Sequence, residues 1–279
     1  MLEFLFEPIF TCAALFGIPS KMFAKAVEKQ ESNLLVLLYH DASENQFRNH
    51  LHFLDKHFDF INLNQLTHVL RNREFPADLT ATITFDDGLQ TFYNEVFPVI
   101  KETEIPVANF VTSGVIDNEF RKRIGQNRIF ISEKAKNEDD TMTTPQDKEK
   151  RKRIGAFVRL GLTSKQLKEL DKHPSITIGS HSNTHPVLTE ISYDECKSEF
   201  FDSKRILESL LGHAVRHFAY PYGIFTEREM LLAEEAGYIS AAGVEDAWIT
   251  RDSGIFSFER KGAGPMGASL HRLKCRIGK

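Results

Sequence analysis

The sequence predicts an α/β protein in which parallel strands alternate with helices and the sheet closes into a barrel. Short runs of apolar and β-branched residues recur along the chain, and segments with apolar residues at helical spacing separate them. This alternation is typical of a parallel sheet with helices packed outside it. The strand count alone does not separate a barrel from an open sheet. The seven predicted strands cover residues 34–39, 80–85, 107–112, 175–179, 216–220, 238–242 and 256–260.

The helices follow from the spacing of apolar residues between these strands. Residues 34–39 are a continuous apolar run, typical of a strand buried on both faces, and a helix over 44–57 comes next. A second helix ends near residue 70, and a third covers 91–104. The last two predicted helices cover 188–211, with one break, and 226–236, with Gly237 as the C-cap.

Two segments fall outside this pattern. Residues 1–33 form a partly apolar N-terminal appendage, and residues 117–160 form a charged insertion in a main domain of residues 34–279. The appendage lacks the basic start of a secretory signal, and its apolar run is too short to span a bilayer, so we expect a cytoplasmic protein. Peripheral membrane contact through this appendage is the alternative. The insertion is expected to be exposed, with the alternative that it covers the mouth of the active site or binds anionic groups.

Composition excludes some classes of function. The chain has 279 residues, a net charge of −4 and ordinary apolar and charged fractions, so nucleic acid is not an expected partner. The three cysteines (Cys12, Cys196 and Cys275) are too few and too scattered for a disulfide framework or a thiolate metal site. The oligomeric state does not follow from the sequence.

Two adjacent carboxylates follow the strand at residues 80–85. Asp86 and Asp87 lie where the apolar run stops, and Gly88 permits a sharp turn. Successive side chains of a strand point in opposite directions, but at a strand end that leads into a loop both can reach one cleft. Paired aspartates alone are a weak signal, because many occur in solvated turns.

Two histidines follow the strand at 175–179. His181 and His185 are four residues apart, so a helical turn after the strand would direct both imidazoles to one ion, and Pro186 would end that turn. One carboxylate and two imidazoles leave coordination positions open for water and substrate, as a catalytic metal site requires. Zinc is the default ion, and cobalt, nickel or iron also suit these ligands.

These motifs resemble those of the polysaccharide deacetylase family, whose members share the NodB-homology domain. The T-F-D-D-G motif is matched by residues 84–88, and H-S/T-x-x-H-P is matched by residues 181–186. The third motif, R-x-P-Y, is matched only in its second half, because Ala219 stands where the family usually has Arg. The resemblance covers residues 34–279 and implies an incomplete (β/α)7 barrel with parallel strands.

The resemblance also implies roles for individual residues. Asp87, His181 and His185 would hold the metal, and Asp86 would be the general base. The backbone N–H of Tyr222 would stabilise the oxyanion formed when the bound water attacks the acetyl carbonyl.

Other roles remain open in the sequence. The general acid is predicted to be His271, in a late Leu-His pair, with His40 at the end of the first strand as the rival. Arg260 is predicted to supply the charge that orients Asp86. Tyr220 and Tyr222 could stack on a sugar ring, with core packing as the alternative.

Together these features predict a metal-dependent hydrolase that removes N-acetyl groups from an amino-sugar polysaccharide or oligosaccharide. Closely related alternatives are a deformylase or a cyclic amide hydrolase of the same fold. The alternative from another class is a catalytically weak or inactive relative that only binds carbohydrate. The missing Arg and the unassigned general acid favour that alternative slightly, whereas the intact Asp86, Asp87, His181 and His185 oppose it.

Overall fold

Parallel strands form the centre of the molecule. The computed structural model describes residues 32–117, 161–264 and 270–277. All pairings between the named strands are parallel, because each strand is followed by a crossover that returns the chain to the same edge. The strands are β1 Leu34–Tyr39, β2 Asp59–Phe60, β3 Thr80–Phe85, β4 Val107–Val111, β5 Ile176–Ser180, β6 His217–Ala219, β7 Ser240–Ala242 and β8 Lys261–Gly262.

The strand order is that of a barrel. Seven strands follow one another as β7-β6-β5-β4-β3-β1-β8, and the two-residue β2 pairs with β3 beside this path. The segment around β8 joins the two edges, because Phe258 forms a bridge with Ala242 of β7 and β8 pairs with β1. The predicted α/β architecture with parallel strands in a partial barrel is confirmed.

Helices cover the outside of the sheet, and several begin with a side-chain cap that the sequence shows. Ser192 and Glu195 form a capping box at the start of the longest helix, and Gly212 ends it in a left-handed conformation. The helices are α1 Glu44–Leu54, α2 Leu63–Asn72, α3 Phe97–Thr103, α4 Ser164–Asp171, α5 Tyr193–Leu211, α6 Glu227–Glu235 and α7 Leu270–Ile277.

Two apolar clusters occupy the two faces of the sheet. One lies between the strands and the outer helices. The other joins the opposite strand faces, including Val36 and Phe110, to Leu66 and its neighbours on α2. Apolar side chains therefore fill the space on both faces of the sheet.

The structure differs in detail from the prediction at three elements. The segment predicted as a helix over 91–104 is a π-helical turn, Phe92–Val96, continued by α3. The break predicted within 188–211 lies between a short 3-10 turn, Leu188–Glu190, and α5. The strand predicted at 256–260 is irregular except for the bridge at Phe258, and regular pairing begins only at β8.

The proposed appendage and most of the charged insertion lie outside the described residues. Where the chain leaves and re-enters the described part, Asp117 accepts a hydrogen bond from the backbone of Ser164 at 3.0 Å, and Leu89 forms an antiparallel bridge with Gly161. The two ends of the insertion are therefore held at one place on the fold. Among the described helices, none combines the length and the apolar character needed to cross a membrane.

Candidate metal centre and active site

The carboxylate pair lies at the carboxyl end of β3, where the backbone turns sharply. Asp87 has φ +78° and Gly88 has φ +69°, so the chain reverses immediately after Asp86. This left-handed turn removes the alternation of an extended strand. Both carboxylates consequently reach the same cleft, and Asp86 is buried while Asp87 is partly exposed.

The two histidines lie in an irregular turn after β5. The expectation of a helical turn is wrong, because residues 181–186 form no helix and Ser182 and His185 have φ +63° and +62°. Ser182 stabilises the turn, since its hydroxyl accepts a hydrogen bond from the backbone N–H of His185 at 3.0 Å. The two imidazoles still converge, through left-handed residues instead of a helical face.

Three side chains meet at one point. The Nε2 atoms of His181 and His185 each lie 3.5 Å from Oδ1 of Asp87, and they lie 3.2 Å from each other. One ligand atom from each residue lies within 4.8 Å of the other two. This spacing is suitable for a cation bound at about 2.0–2.2 Å from each ligand atom.

The hydrogen bonds of these residues fit a bound cation. Nδ1 of His181 donates to the carbonyl oxygen of Ala219 at 2.8 Å, which leaves the lone pair of Nε2 directed at Asp87. Oδ1 of Asp87 is buried and has no hydrogen-bond partner among the described residues. A buried carboxylate oxygen facing two imidazole nitrogens is a costly arrangement unless a cation neutralises it.

The surroundings shift the pKa values of the two imidazoles in opposite directions. Burial, assisted by the charge of the neighbouring His181, lowers the pKa of His185 to about 4. Burial also acts against the charged form of His181, but Asp86 and Asp87 outweigh it and raise its pKa. The imidazole of His185 is therefore uncharged at neutral pH, which is the form in which imidazole binds metals.

Arg260 pairs with Asp86 inside the barrel. Its two terminal nitrogens donate to the two carboxylate oxygens at 2.7 and 2.8 Å, while its Nε donates to the carbonyl of Gly243 at 2.9 Å. Its guanidinium also lies over the ring of Phe110. Burial acts to raise the pKa of Asp86, but the charge and hydrogen bonds of Arg260, together with the charge of His181, outweigh it and lower the pKa to about 2.

These contacts distinguish the two carboxylates. Both oxygens of Asp86 accept hydrogen bonds from Arg260, whereas Oδ1 of Asp87 faces only the imidazoles. Asp87 is therefore better suited to bind a cation, and Asp86 remains beside it as a fixed anion. Arg260 therefore supplies the positive charge beside Asp86, and the backbone carbonyl of Ala219 orients His181.

The two candidates for the general acid lie in different places. His40 is exposed at the end of β1, and its charge helps to lower the pKa values of both Asp86 and Asp87. His271 lies at the start of α7, and its side chain is outside the described set. Only His40 therefore has a described relation to the carboxylates.

The two tyrosines of the third motif have different environments. Tyr220 is completely buried, and its hydroxyl donates to the carbonyl of Phe256 at 2.9 Å. The idea that Tyr220 stacks on a sugar is corrected accordingly, because neither face of its ring is accessible. Tyr222 is 59% exposed, has φ +60°, and its ring meets that of His185 edge to face at 4.7 Å between centroids.

One buried carboxylate near the site was not anticipated. Glu199 on α5 accepts hydrogen bonds from the backbone of Asn183 and Thr184, inside the turn that carries the histidines. In the sequence its only signal is its position on the buried face of α5, next to Phe200 and near Cys196.

Comparison with known proteins agrees with this arrangement. The family model for polysaccharide deacetylase matches residues 75–241, which include the carboxylate pair, both histidines and Tyr222. A Bacillus subtilis relative, YxkH, named for polysaccharide deacetylase, is 23% identical over 246 residues, covering 85% of this chain and 74% of the relative. The poly-beta-1,6-N-acetyl-D-glucosamine N-deacetylase of Staphylococcus aureus is 21% identical over 222 residues, covering 79% and 67%.

Solved structures show the same fold. The Streptococcus pyogenes deacetylase PplD, in complex with acetate, has a TM-score of 0.66 at 21% identity and covers 88% of this chain and 97% of its own. IcaB from Ammonifex degensii has a TM-score of 0.66 at 19% identity, with coverage of 90% and 99%. At these identities the likeness establishes the architecture, and the chemistry has to be argued from the site.

Proposed function

The chain belongs to the polysaccharide deacetylase family, and from this premise we propose that it is a metal-dependent hydrolase of N-acetylated amino-sugar polymers or oligomers. We assign this activity to a domain of residues 34–279. The observation that carries the proposal is the convergence of Asp87, His181 and His185 beside an arginine-bound Asp86. The reaction is hydrolysis of an acetamide, which releases acetate and leaves a free amine on the sugar.

The proposed metal ligands are Oδ1 of Asp87 and Nε2 of His181 and His185. The unpartnered carboxylate oxygen and the fixed tautomer of His181 support this assignment. A divalent cation held there would polarise the acetyl carbonyl and lower the pKa of a nearby water. Zinc is the default because its preferred ligands include imidazole and carboxylate.

Asp86 is the proposed proton acceptor. Arg260 keeps it ionised above about pH 2, so its proton-accepting form is the resting form at neutral pH. The same pairing makes Asp86 a weak base, so its contribution depends on its position next to the ligands more than on its pKa. Oδ2 of Asp86 lies 3.9 Å from Nε2 of His181, and this distance supports a place at the edge of the proposed metal site.

His40 is the proposed proton donor to the leaving amine. It lies at the carboxyl end of β1, the strand adjacent to β3, and it is exposed to the cleft from which substrate must approach. Its electrostatic influence on both Asp86 and Asp87 supports a place near the reacting groups. We therefore favour His40 over His271.

Tyr222 is the proposed contact for the sugar. Its ring stands exposed beside His185, so a saccharide that presents its acetamide to the cleft would pass over the aromatic face. Its backbone N–H is the proposed donor to the oxyanion of the transition state. Gly223 holds this loop close to Val244, where an added Cβ would come within 2.5 Å of the Val244 side chain.

The substrate class is inferred from the family and from the relatives. The Staphylococcus aureus relatives are named for poly-beta-1,6-N-acetyl-D-glucosamine, which favours a β-1,6-linked polymer of N-acetylglucosamine as the first substrate to test. The inactive carbohydrate-binding alternative loses its main support, since Arg260 supplies the charge that Ala219 cannot. A deformylase or a cyclic amide hydrolase of the same fold would release no acetate from N-acetylglucosamine oligomers.

The test measures acetate released from β-1,6- and β-1,4-linked N-acetylglucosamine oligomers by the zinc-loaded protein. We expect release by the unmodified protein, a loss of about 10²–10⁴-fold in Asp86→Asn with zinc retained, and loss of zinc itself in His185→Ala. The exposed His213 pairs with Asp171 away from these residues, so His213→Ala serves as the matched control. Unchanged zinc content in His185→Ala would refute the ligand assignment, and equal rates in Asp86→Asn would remove Asp86 from the mechanism.

A further inference from the structure

The turn that carries His181 and His185 contains backbone groups that need partners. Buried N–H and C=O groups outside helices and strands must be satisfied individually. On one side, the segment after β4 supplies donors. The hydroxyl of Thr112 donates to the carbonyl of His181 at 3.2 Å, the N–H of Ser113 to Ser182 at 3.1 Å, and the N–H of Gly114 to Asn183 at 2.8 Å.

Glu199 supplies the acceptors on the other side. Its Oε2 accepts the backbone N–H groups of Asn183 and Thr184, both at 2.8 Å, and its Oε1 accepts the Thr184 hydroxyl at 2.6 Å. Only 9% of Glu199 is exposed. One carboxylate therefore satisfies three donors that lie between the two histidines in the chain.

We propose that Glu199 is a positioning residue for the metal centre: by holding Asn183 and Thr184, it sets the distance between the two imidazoles. The inference rests on the proposed function, because it assumes that these imidazoles bind a cation. Glu199 bonds to Asn183 and Thr184, which lie between the two histidines. It acts through the backbone, in the way that hydrogen-bonded groups behind metal ligands raise affinity by fixing the ligands before the ion arrives.

The backbone geometry explains why the turn needs such support. Ser182 and His185, which flank the two residues bound by Glu199, both have a left-handed conformation that non-glycine residues rarely adopt. Without the carboxylate, three donors would lose their acceptor and the turn could relax towards ordinary backbone angles. His185 would then move relative to His181, whose own position is fixed by Ala219.

Two variants of Glu199 separate the effect of side-chain length (its reach) from the effect of its charge. Glu199→Asp keeps the charge but is one methylene shorter, so it cannot bind all three donors. Glu199→Gln keeps the length. Its carbonyl oxygen can accept both backbone N–H groups, and its amide can donate to the Thr184 hydroxyl, which then acts as acceptor. Positioning through hydrogen bonds therefore predicts that Glu199→Gln is the milder change.

The experiment measures zinc affinity by competition with a chromophoric chelator, together with the melting temperature of each metal-free protein. We expect Glu199→Asp to bind zinc about tenfold more weakly and Glu199→Gln to remain within about threefold of the unmodified protein. Glu195→Ala is the matched control, because it removes the exposed capping box of the same helix without touching the turn, and its zinc affinity should not change.

The outcomes separate this inference from the proposed function. If the unmodified protein binds no zinc, the metal site itself is refuted. If it binds zinc and Glu199→Asp binds equally well, only the role of Glu199 is overturned. Weakening of Glu199→Gln as large as that of Glu199→Asp would also overturn it, because loss of charge would then weaken zinc binding as much as loss of reach. A parallel loss in Glu195→Ala would show that helix stability, and not positioning, governs affinity.

Discussion

Arg260 and Asp86 form an ion pair that is entirely withdrawn from solvent, and their separate removal should be very costly. In Arg260→Met the carboxylate would remain buried without its partner, which typically costs 3–5 kcal/mol. We expect the free energy of unfolding of the metal-free protein to fall by about that amount. Urea denaturation followed by far-UV circular dichroism measures it.

The double variant Arg260→Met with Asp86→Asn is the control for this prediction. Because the cost arises from an uncompensated charge, removal of that charge should restore part of the stability, and the two changes should not be additive. A double variant as unstable as the sum of the two single variants would contradict the charge explanation and would indicate lost packing around Phe110 instead.

His40 and His271 can be separated by one comparison at the residue level. We expect His40→Gln to lower kcat for acetate release by about 10²–10⁴-fold, because the leaving amine would lack its proton donor. Zinc content should be unchanged, since His40 is not a proposed ligand. The same assay on His271→Gln provides the comparison, and a larger loss in that variant would assign the acid to α7.

Individual site residues could be predicted from the sequence where they lie in contiguous motifs. Asp86, Asp87, His181 and His185 were grouped from their places at strand ends. The fold brings Asp87, His181 and His185 together, with Asp86 beside them. Tyr220 was misjudged because burial is not visible in a three-residue motif. Glu199 was missed because its partners are backbone N–H groups, which any residue provides.

The turn after β3 depends on Gly88 for two reasons that act together. Its φ is +69°, and a Cβ built there would lie 2.7 Å from Cγ1 of Val111 and 3.2 Å from the Val111 backbone. We expect Gly88→Ala to lower the free energy of unfolding by about 2–4 kcal/mol, from left-handed strain plus overpacking. It should also reduce zinc affinity, because Asp87 would be displaced. Thermal melting and chelator competition measure the two effects.

Gly212 at the end of α5 is a suitable reference. It has φ +81°, but an added Cβ would meet no atom within 4 Å. Gly212→Ala should therefore show the strain alone, about 1 kcal/mol, with zinc affinity unchanged. Similar stability losses in both variants would show that the close approach to Val111 is relieved by movement.

Elements were predictable where residue spacing and caps agree. The helix α5 has both a capping box and a terminal glycine, and α6 ends next to Gly237, so their ends could be placed closely from the sequence. The π-helical turn at Phe92–Val96 could not be predicted, because its residues also suit an α-helix. The left-handed histidine turn was missed for a similar reason, since a four-residue spacing also suits a helix.

The pH dependence of unfolding for the whole molecule should show the contribution of a buried histidine. His217 on β6 connects α2 to β7, through Asn64 at 3.2 Å and Ser240 at 2.8 Å. Burial, assisted by the charges of Arg216 and Lys204, lowers its pKa to about 4, below the unfolded value of about 6.5. The unfolded chain therefore takes up a proton more readily than the folded protein between these two pH values.

Stability from His217 is accordingly complete above about pH 6.5 and is lost as the pH falls towards about 4. We expect the metal-free protein to lose about 2 kcal/mol more than His217→Gln between pH 7.5 and pH 5. Urea unfolding at both pH values measures this difference. Equal losses in the two proteins would contradict the prediction, because contributions of the other titrating groups are common to both.

The barrel as a whole was predictable only in part. Alternating strands and helices indicated parallel pairing, which the fold confirms, but closure depends on a few contacts. Phe258 bridges β7 inside residues 256–260, which were expected to be one regular strand, and the two residues of β8 that pair with β1 come just after it. Such sparse pairing leaves no periodic pattern in the sequence.

This closing segment also contains Arg260, with a consequence for how the protein is made. During synthesis, Asp86 leaves the ribosome some 170 residues before Arg260 does. Until then, the nascent chain lacks both the last strand of the barrel and the arginine that pairs with Asp86. The reactive groups therefore cannot assemble until the whole domain has been translated. A chain truncated before Arg260 should have no hydrolase activity.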